Sequence, residues 1–103
     1  MRLLTFTVAA LFAAAAPAWA GPEDAMTQAG CMACHTKDKK LVGPALKDIA
    51  AKYKGQAGAE ATLIAKVRAG GKGSFGPIPM SPNPPDKISD ADLKAAVGWI
   101  LQQ

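Results

Sequence analysis

The pentapeptide Cys31-Met32-Ala33-Cys34-His35 decides how the rest of the chain is read. Two thiols separated by two residues can add across the two vinyl groups of one porphyrin, and the residue that follows is then carried under the iron. An imidazole at that place can ligate the iron, so this spacing is the attachment pattern of a c-type haem. His35 is the only histidine in the chain, and no other imidazole competes with it. Two other uses of such cysteines fit less well. A thiol–disulfide centre wants a strand before the pair and a helix opening at its first cysteine, whereas here a helical pattern runs into the pair. A zinc site needs four ligands, and this cluster offers three with no second cluster to complete it.

Upstream of the pentapeptide the chain changes character. Met1-Arg2 supplies a short positive end, Leu3 to Ala16 is uncharged and largely apolar, Pro17 interrupts it, and Ala18-Trp19-Ala20 ends on small residues. That order predicts a secretory signal peptide over residues 1–20, cleaved after Ala20. The apolar run is shorter than the roughly 20 residues that span a bilayer as a helix, so no stable membrane anchor is expected. Of the chain's 103 residues, 21–103 then form one domain. A domain this small buries little apolar surface and usually needs a staple. Half of all residues are apolar, but the leader and many alanines inflate that figure, and the aromatics after residue 20 are only Tyr53, Phe75 and Trp99. A disulfide between Cys31 and Cys34 would close a tiny loop and restrain the unfolded chain little. A covalent haem would fill the missing core, and the haem-free chain is expected to be largely unfolded.

Downstream and around it, four helical segments can be read and no strand pattern, so the fold class is all-α. The first starts at Pro22, with Glu23 and Asp24 in its opening turn, and runs to about Gly30. From Pro44 to Tyr53, the residues Leu46, Ile49, Ala50 and Tyr53 fall on one helical face, and Gly55 supplies the stop. Gly58 to Ala69 carries Leu63, Ile64 and Val67 and ends at Gly70-Gly71. The last segment opens with Ser89 and Asp92 as a capping-box variant, and repeats Leu93, Ala96, Val97, Ile100 and Leu101 at helical spacing to the end of the chain.

Between the third and fourth segments, Gly70 to Lys87 is too rich in glycine and proline for helix or central strand. Loops of this length in small domains are usually functional. Met80 stands in its middle, with Pro79 before it and Pro82 after it. A haem iron ligated by histidine and a thioether has the raised potential of an electron carrier. Of the methionines after residue 20, Met32 lies inside the pentapeptide and Met26 on the first helix, so Met80 is the expected second axial ligand.

These stretches together resemble the small bacterial class I cytochromes c of the c-551 (c-8) type. The likeness extends beyond the pentapeptide to Val42-Gly43-Pro44, the run from Lys52 to Ala61, Gly76-Pro77-Ile78-Pro79-Met80 and Trp99-Ile100-Leu101. It implies about four helices wrapped around one covalently attached haem c, with the first and last helices crossing near Gly30. It assigns Cys31 and Cys34 to the thioethers and His35 and Met80 to the iron. It also implies that the Pro44 carbonyl accepts the far N–H of the His35 ring and that Asn83 donates to the Met80 sulfur. Phe75 stands where similar proteins often have a tryptophan whose N–H reaches a haem propionate, so that donor is lost. The segment Pro84–Ile88 looks longer than the resemblance leads one to expect.

The resemblance further implies an electron carrier, not an enzyme, exported to the periplasm, and nothing in the sequence calls for more than a monomer. Its redox partners would be quinol–cytochrome c reductase-type complexes, with a terminal oxidase or nitrite reductase as acceptor. The formal net charge of +4 is small and has no aromatic interleaving, which excludes nucleic-acid binding. Lys37, Lys39 and Lys40 crowd the pentapeptide and suggest a positive rim that steers acidic partners. Two competing readings are a five-coordinate haem protein acting on gases or peroxide, and a thiol–disulfide oxidoreductase. Neither accounts for both the pentapeptide and the proline-framed Met80.

Overall fold

The computed structural model describes residues 9–10 and 21–103, so nearly all of the expected signal peptide lies outside the described residues. Four α-helices follow one another: α1 (Pro22–Gln28), α2 (Leu46–Tyr53), α3 (Ala59–Ala69) and α4 (Asp90–Ile100), with a 3-10 turn at Cys31–Ala33. Among the described residues the only extended pairing is a single antiparallel bridge between Gly71 and Met80. The all-α reading holds. No helix among the described residues is long and apolar enough to cross a membrane.

The expected apolar faces are the ones that pack. Leu46, Ala50 and Tyr53 of α2, Leu63 of α3, and Leu93, Ala96 and Val97 of α4 are all buried. Ala29, just past α1, joins Tyr53, Leu63, Ile88, Leu93 and Val97 in one cluster, and Met26 packs with Leu46 and Ala96 in a second. Met26, Leu46 and Val97 are the largest side chains wholly withdrawn from water, each stabilising the fold by roughly 1.5–3 kcal/mol. Helix α1 lies against α4, which also packs on α3 and α2. That arrangement matches the implied meeting of the first and last helices. Gly30 itself sits at φ 84° with open space where a Cβ would stand. It is therefore needed for the left-handed turn into the pentapeptide and not for close approach.

Helix boundaries differ from expectation where backbone groups are used elsewhere. Helix α2 begins at Leu46, two residues after Pro44, because Ala45 is extended (ψ 143°) and the Pro44 carbonyl faces the His35 ring. Its first turn has no side-chain cap. The Leu46 and Lys47 N–H groups instead donate to the carbonyls of Thr36 (2.8 Å) and Lys37 (3.1 Å), which satisfies two of the donors a helix start leaves open. At α4, Ser89 Oγ accepts from the Asp92 N–H at 3.2 Å, the expected N-cap. The helix stops at Ile100, with the last residues in a turn.

Candidate functional site

The site begins with the turn that presents the pentapeptide. After Gly30, the N–H groups of Cys34 and His35 both donate to the Cys31 carbonyl, at 3.2 and 3.0 Å. This single coil sets the spacing of the two thiols and aims His35 past them. The His35 ring is then held from two sides. Its Nδ1 lies 2.8 Å from the Pro44 carbonyl oxygen. A carbonyl only accepts, so Nδ1 carries the hydrogen and donates it, leaving Nε2 with a free lone pair. On the other side stands Gly43, where a Cβ would lie 2.5 Å from His35 Cε1 and 2.9 Å from Nδ1. Only glycine leaves room for the ring there.

Met80 is held differently. Its N–H donates to the Gly71 carbonyl (2.8 Å), and the Gly71 N–H returns to the Met80 carbonyl (2.9 Å), so residues 71–80 form a closed ring of chain. Gly70 sits at φ 68°, ψ −158°, a region open essentially to glycine alone. A Cβ there would run into the Met80 carbonyl oxygen and lie 2.8 Å from the Pro82 nitrogen.

Asn83 is buried, at 4% exposure, but the partner implied for it needs correcting. Its Nδ2 donates to the Val67 and Ser81 carbonyls, both at 3.1 Å. With both hydrogens committed to backbone, none is left for the Met80 sulfur. The Asn83 N–H also turns to the Val67 (3.1 Å) and Arg68 (3.3 Å) carbonyls. Asn83 thereby closes the C-terminal end of α3, which would otherwise leave carbonyls open.

These segments surround one mostly apolar cleft of about 380 Å³, lined by Cys31, Cys34, His35, Pro44, Tyr53, Phe75, Met80 and Asn83 among others. Every residue singled out in the sequence for the site meets there. Val42, Phe75 and Ile78 line the cleft and are also among the large apolar side chains most open to water. Exposed apolar groups gathered round a cleft are what a bound apolar ligand covers. The donor set is one imidazole nitrogen with a free lone pair, one thioether and two thiols, and it suits a haem. Cys31 is half-buried and Cys34 exposed, both as free thiols. Burial pushes the Cys31 thiol up, against the opposing charge of Lys87.

The Phe75 side of the cleft carries positive charge where an indole donor was expected to be missing. Phe75 leans on Tyr53 with ring centroids 6.5 Å apart, and the Lys52 ammonium lies 4.6 Å from its centroid. Lys52 Nζ donates to the Ser74 carbonyl (2.5 Å) and Lys66 Nζ to Ser74 Oγ (3.0 Å). The lysines crowding the pentapeptide are less uniform than expected. Lys37 is occupied, 3.5 Å from Glu23 and 5.2 Å from the Trp99 centroid. Of the three, Lys40 lines the cleft, joined there by Lys66, Lys72 and Lys87.

The profile of the cytochrome c family matches residues 17–103. The chain belongs to the cytochrome c family. It is 52% identical over 83 residues to the cytochrome c2 of Rubrivivax gelatinosus, covering 81% of this chain and 98% of that one. It is 49% identical over 87 residues to the cytochrome c-551 of Pseudomonas aeruginosa, covering 84% and 81%. The crystal structure of Nitrosomonas europaea cytochrome c552 superposes with a TM-score of 0.71 at 48% identity, covering 77% of this chain and 95% of that one. This cytochrome is therefore a small class I protein of the c-551 type, with one covalently attached haem c, and it carries electrons between redox proteins. What the sequence reading missed is the role of Gly43 as a space for the imidazole, the Gly71–Met80 bridge and the lysines at Ser74. For Gly43 the signal was present, as a glycine beside the proline that faces His35. The bridge and the lysine contacts join residues distant in sequence and left no local mark.

Proposed function

We propose that this cytochrome is a periplasmic one-haem electron carrier. Cys31 and Cys34 hold the haem through thioethers, and His35 Nε2 and the Met80 sulfur ligate its iron. The observation that supports this reading is that His35 and Met80, from segments remote in sequence, line one apolar cleft with both cysteines. Once bound, the haem supplies a one-electron ferric–ferrous couple. The protein's own contribution is to hold the two ligating side chains fixed. Pro44 keeps the imidazole in one tautomer and one orientation, and Gly43 leaves the ring no side chain to turn against. The Gly71 bridge holds Met80 in its loop, and the apolar wall keeps water out. With His35 and Met80 both taken up in holding the iron, no coordination site would be left for substrate, which fits a carrier and not an enzyme.

In this reading residues 1–20 are the leader, removed after Ala20, and residues 21–103 the working monomer. Electrons arrive from a quinol–cytochrome c reductase-type complex and leave to a terminal oxidase or a nitrite reductase. The test is the visible spectrum of protein matured in a haem-attaching host. Sharp low-spin bands on reduction, and the weak far-red sulfur-to-iron band when oxidised, are expected. A high-spin spectrum lacking that band would take Met80 off the iron and promote the gas-binding or peroxidase reading.

A further inference from the structure

Arg68 lies in the last turn of α3 and lines no part of the cleft, yet its side chain reaches the chain on both sides of the unexplained segment after Met80. Nη1 donates to the Asn83 carbonyl at 3.0 Å and to the Ile88 carbonyl at 2.7 Å. Nη2 lies 2.5 Å from Asp90 Oδ1. Between the two carbonyls, Pro84 to Lys87 makes a turn of its own, with the Lys87 and Ile88 N–H groups donating to the Pro84 carbonyl. One guanidinium thus closes the base of this turn, pinning the residues that flank it, Asn83 and Ile88, to the end of α3. Asn83 is the residue whose N–H and Nδ2 also bind α3 carbonyls. The exit of the Met80 loop is therefore tied to α3 in both directions.

We infer that Arg68 is a positioning residue for the second iron ligand: its fork splices the Pro84–Lys87 turn and keeps the Met80 loop closed over the haem. The inference rests on Met80 being that ligand. The chemistry requires arginine. A guanidinium is always charged and offers several donors in one rigid plane, so it can serve two carbonyls and a carboxylate together. Hydrogen bonds from a charged donor are roughly twice as strong as neutral ones. A lysine is a single point charge on a flexible stem and cannot span the same three acceptors. The two halves of the fork contribute unequally. The Arg68 side chain is 19% exposed but that of Asp90 is 92% exposed, so water and salt weaken the ion pair while the carbonyl bonds are sheltered. The Pro84–Ile88 segment is then accommodated without slackening the loop, because the chain is fastened before and after it.

The test uses holo-protein and an exogenous ligand that must displace Met80, imidazole, titrated into the ferric form while the far-red band is followed. Arg68→Met, which keeps the stem and removes the donors, is expected to raise imidazole affinity by about tenfold. Arg68→Lys should not restore the wild-type value, and Asp90→Asn should stay within about twofold of it. Ala95→Gly, on the exposed side of α4, weakens a helix that makes no hydrogen bond to residues 71–80 and should leave imidazole affinity unchanged. Equal shifts in Arg68→Met and Ala95→Gly would reduce Arg68 to a general stabiliser, and rescue by lysine would replace the fork by simple charge. A wild-type far-red band with unchanged imidazole affinity in Arg68→Met removes the clamp alone. A wild type with no such band removes the Met80 ligation and the clamp together.

Discussion

The segments carrying His35 and Met80 each sit at the end of a helix, and they use opposite ends. The chain after His35 offers carbonyls to the open N–H groups at the start of α2. The chain after Met80 offers N–H donors to the open carbonyls at the end of α3. Both helices lack a side-chain N-cap of their own. The difference lies in reach. The hydrogen bond orienting His35 and the bridge from Gly71 to Met80 each span nine residues, but the Met80 side adds ties at Asn83 and Arg68 that span 15 and 16. The proximal side is built from bonds that span nine or ten residues around His35. The Met80 side depends on α3, the glycine turn and the arc beyond Pro84 all being in position. A shared device thus holds one side chain through neighbouring residues and the other with ties from farther along the chain.

The sharpest way to break this contrast is at Gly70. Gly70→Ala adds both a forbidden backbone region and a collision with the Met80 carbonyl. A loss of about 3 kcal/mol or more is expected by denaturant titration of the holo-protein. The far-red band should weaken while the haem remains attached. At Gly43 the backbone is unstrained and only the Cβ intrudes on the His35 ring, so Gly43→Ala should cost about 2 kcal/mol. Its signature should be a shift in the low-spin bands with imidazole affinity little changed. If Gly43→Ala admitted exogenous imidazole as readily as Gly70→Ala, the two sides would not differ in the way described. The smallest effect concerns the cleft edge, where Lys40, Lys66, Lys72 and Lys87 gather. Electron-transfer rates to an acidic redox partner are expected to fall, by less than about tenfold, as ionic strength rises through the physiological range. A flat salt profile would assign those lysines to solubility.

The proximal side was also the legible side. The pentapeptide, the apolar face of α2 and the Ser89 cap are local patterns, and each could be read from neighbouring residues. The site residues Cys31, Cys34, His35, Pro44, Phe75, Met80 and Asn83 were picked out, and the structure gathers all seven around one cleft. What could not be read was how the Met80 loop is fastened. Gly70 announced a helix stop, but its clash with Met80 depends on the return of the chain ten residues later. Arg68 drew no reading at all, because nothing local shows that it faces the carbonyls of Asn83 and Ile88. The resemblance paired the Asn83 amide with the Met80 sulfur, whereas in the structure it donates to the carbonyls of Val67 and Ser81, partners that no local pattern announces. Glycine and proline remove the periodicity from which contacts are read, so a loop built of them conceals its partners.

Helix α2 does not stand by itself. Eight residues with no side-chain cap are too few to persist alone in water, and the two carbonyls that meet its first N–H groups belong to Thr36 and Lys37, directly after His35. The helix is therefore conditional on the path of the chain beside the pentapeptide, so that a disturbance at His35 is carried into α2 and from there to its packing on α4.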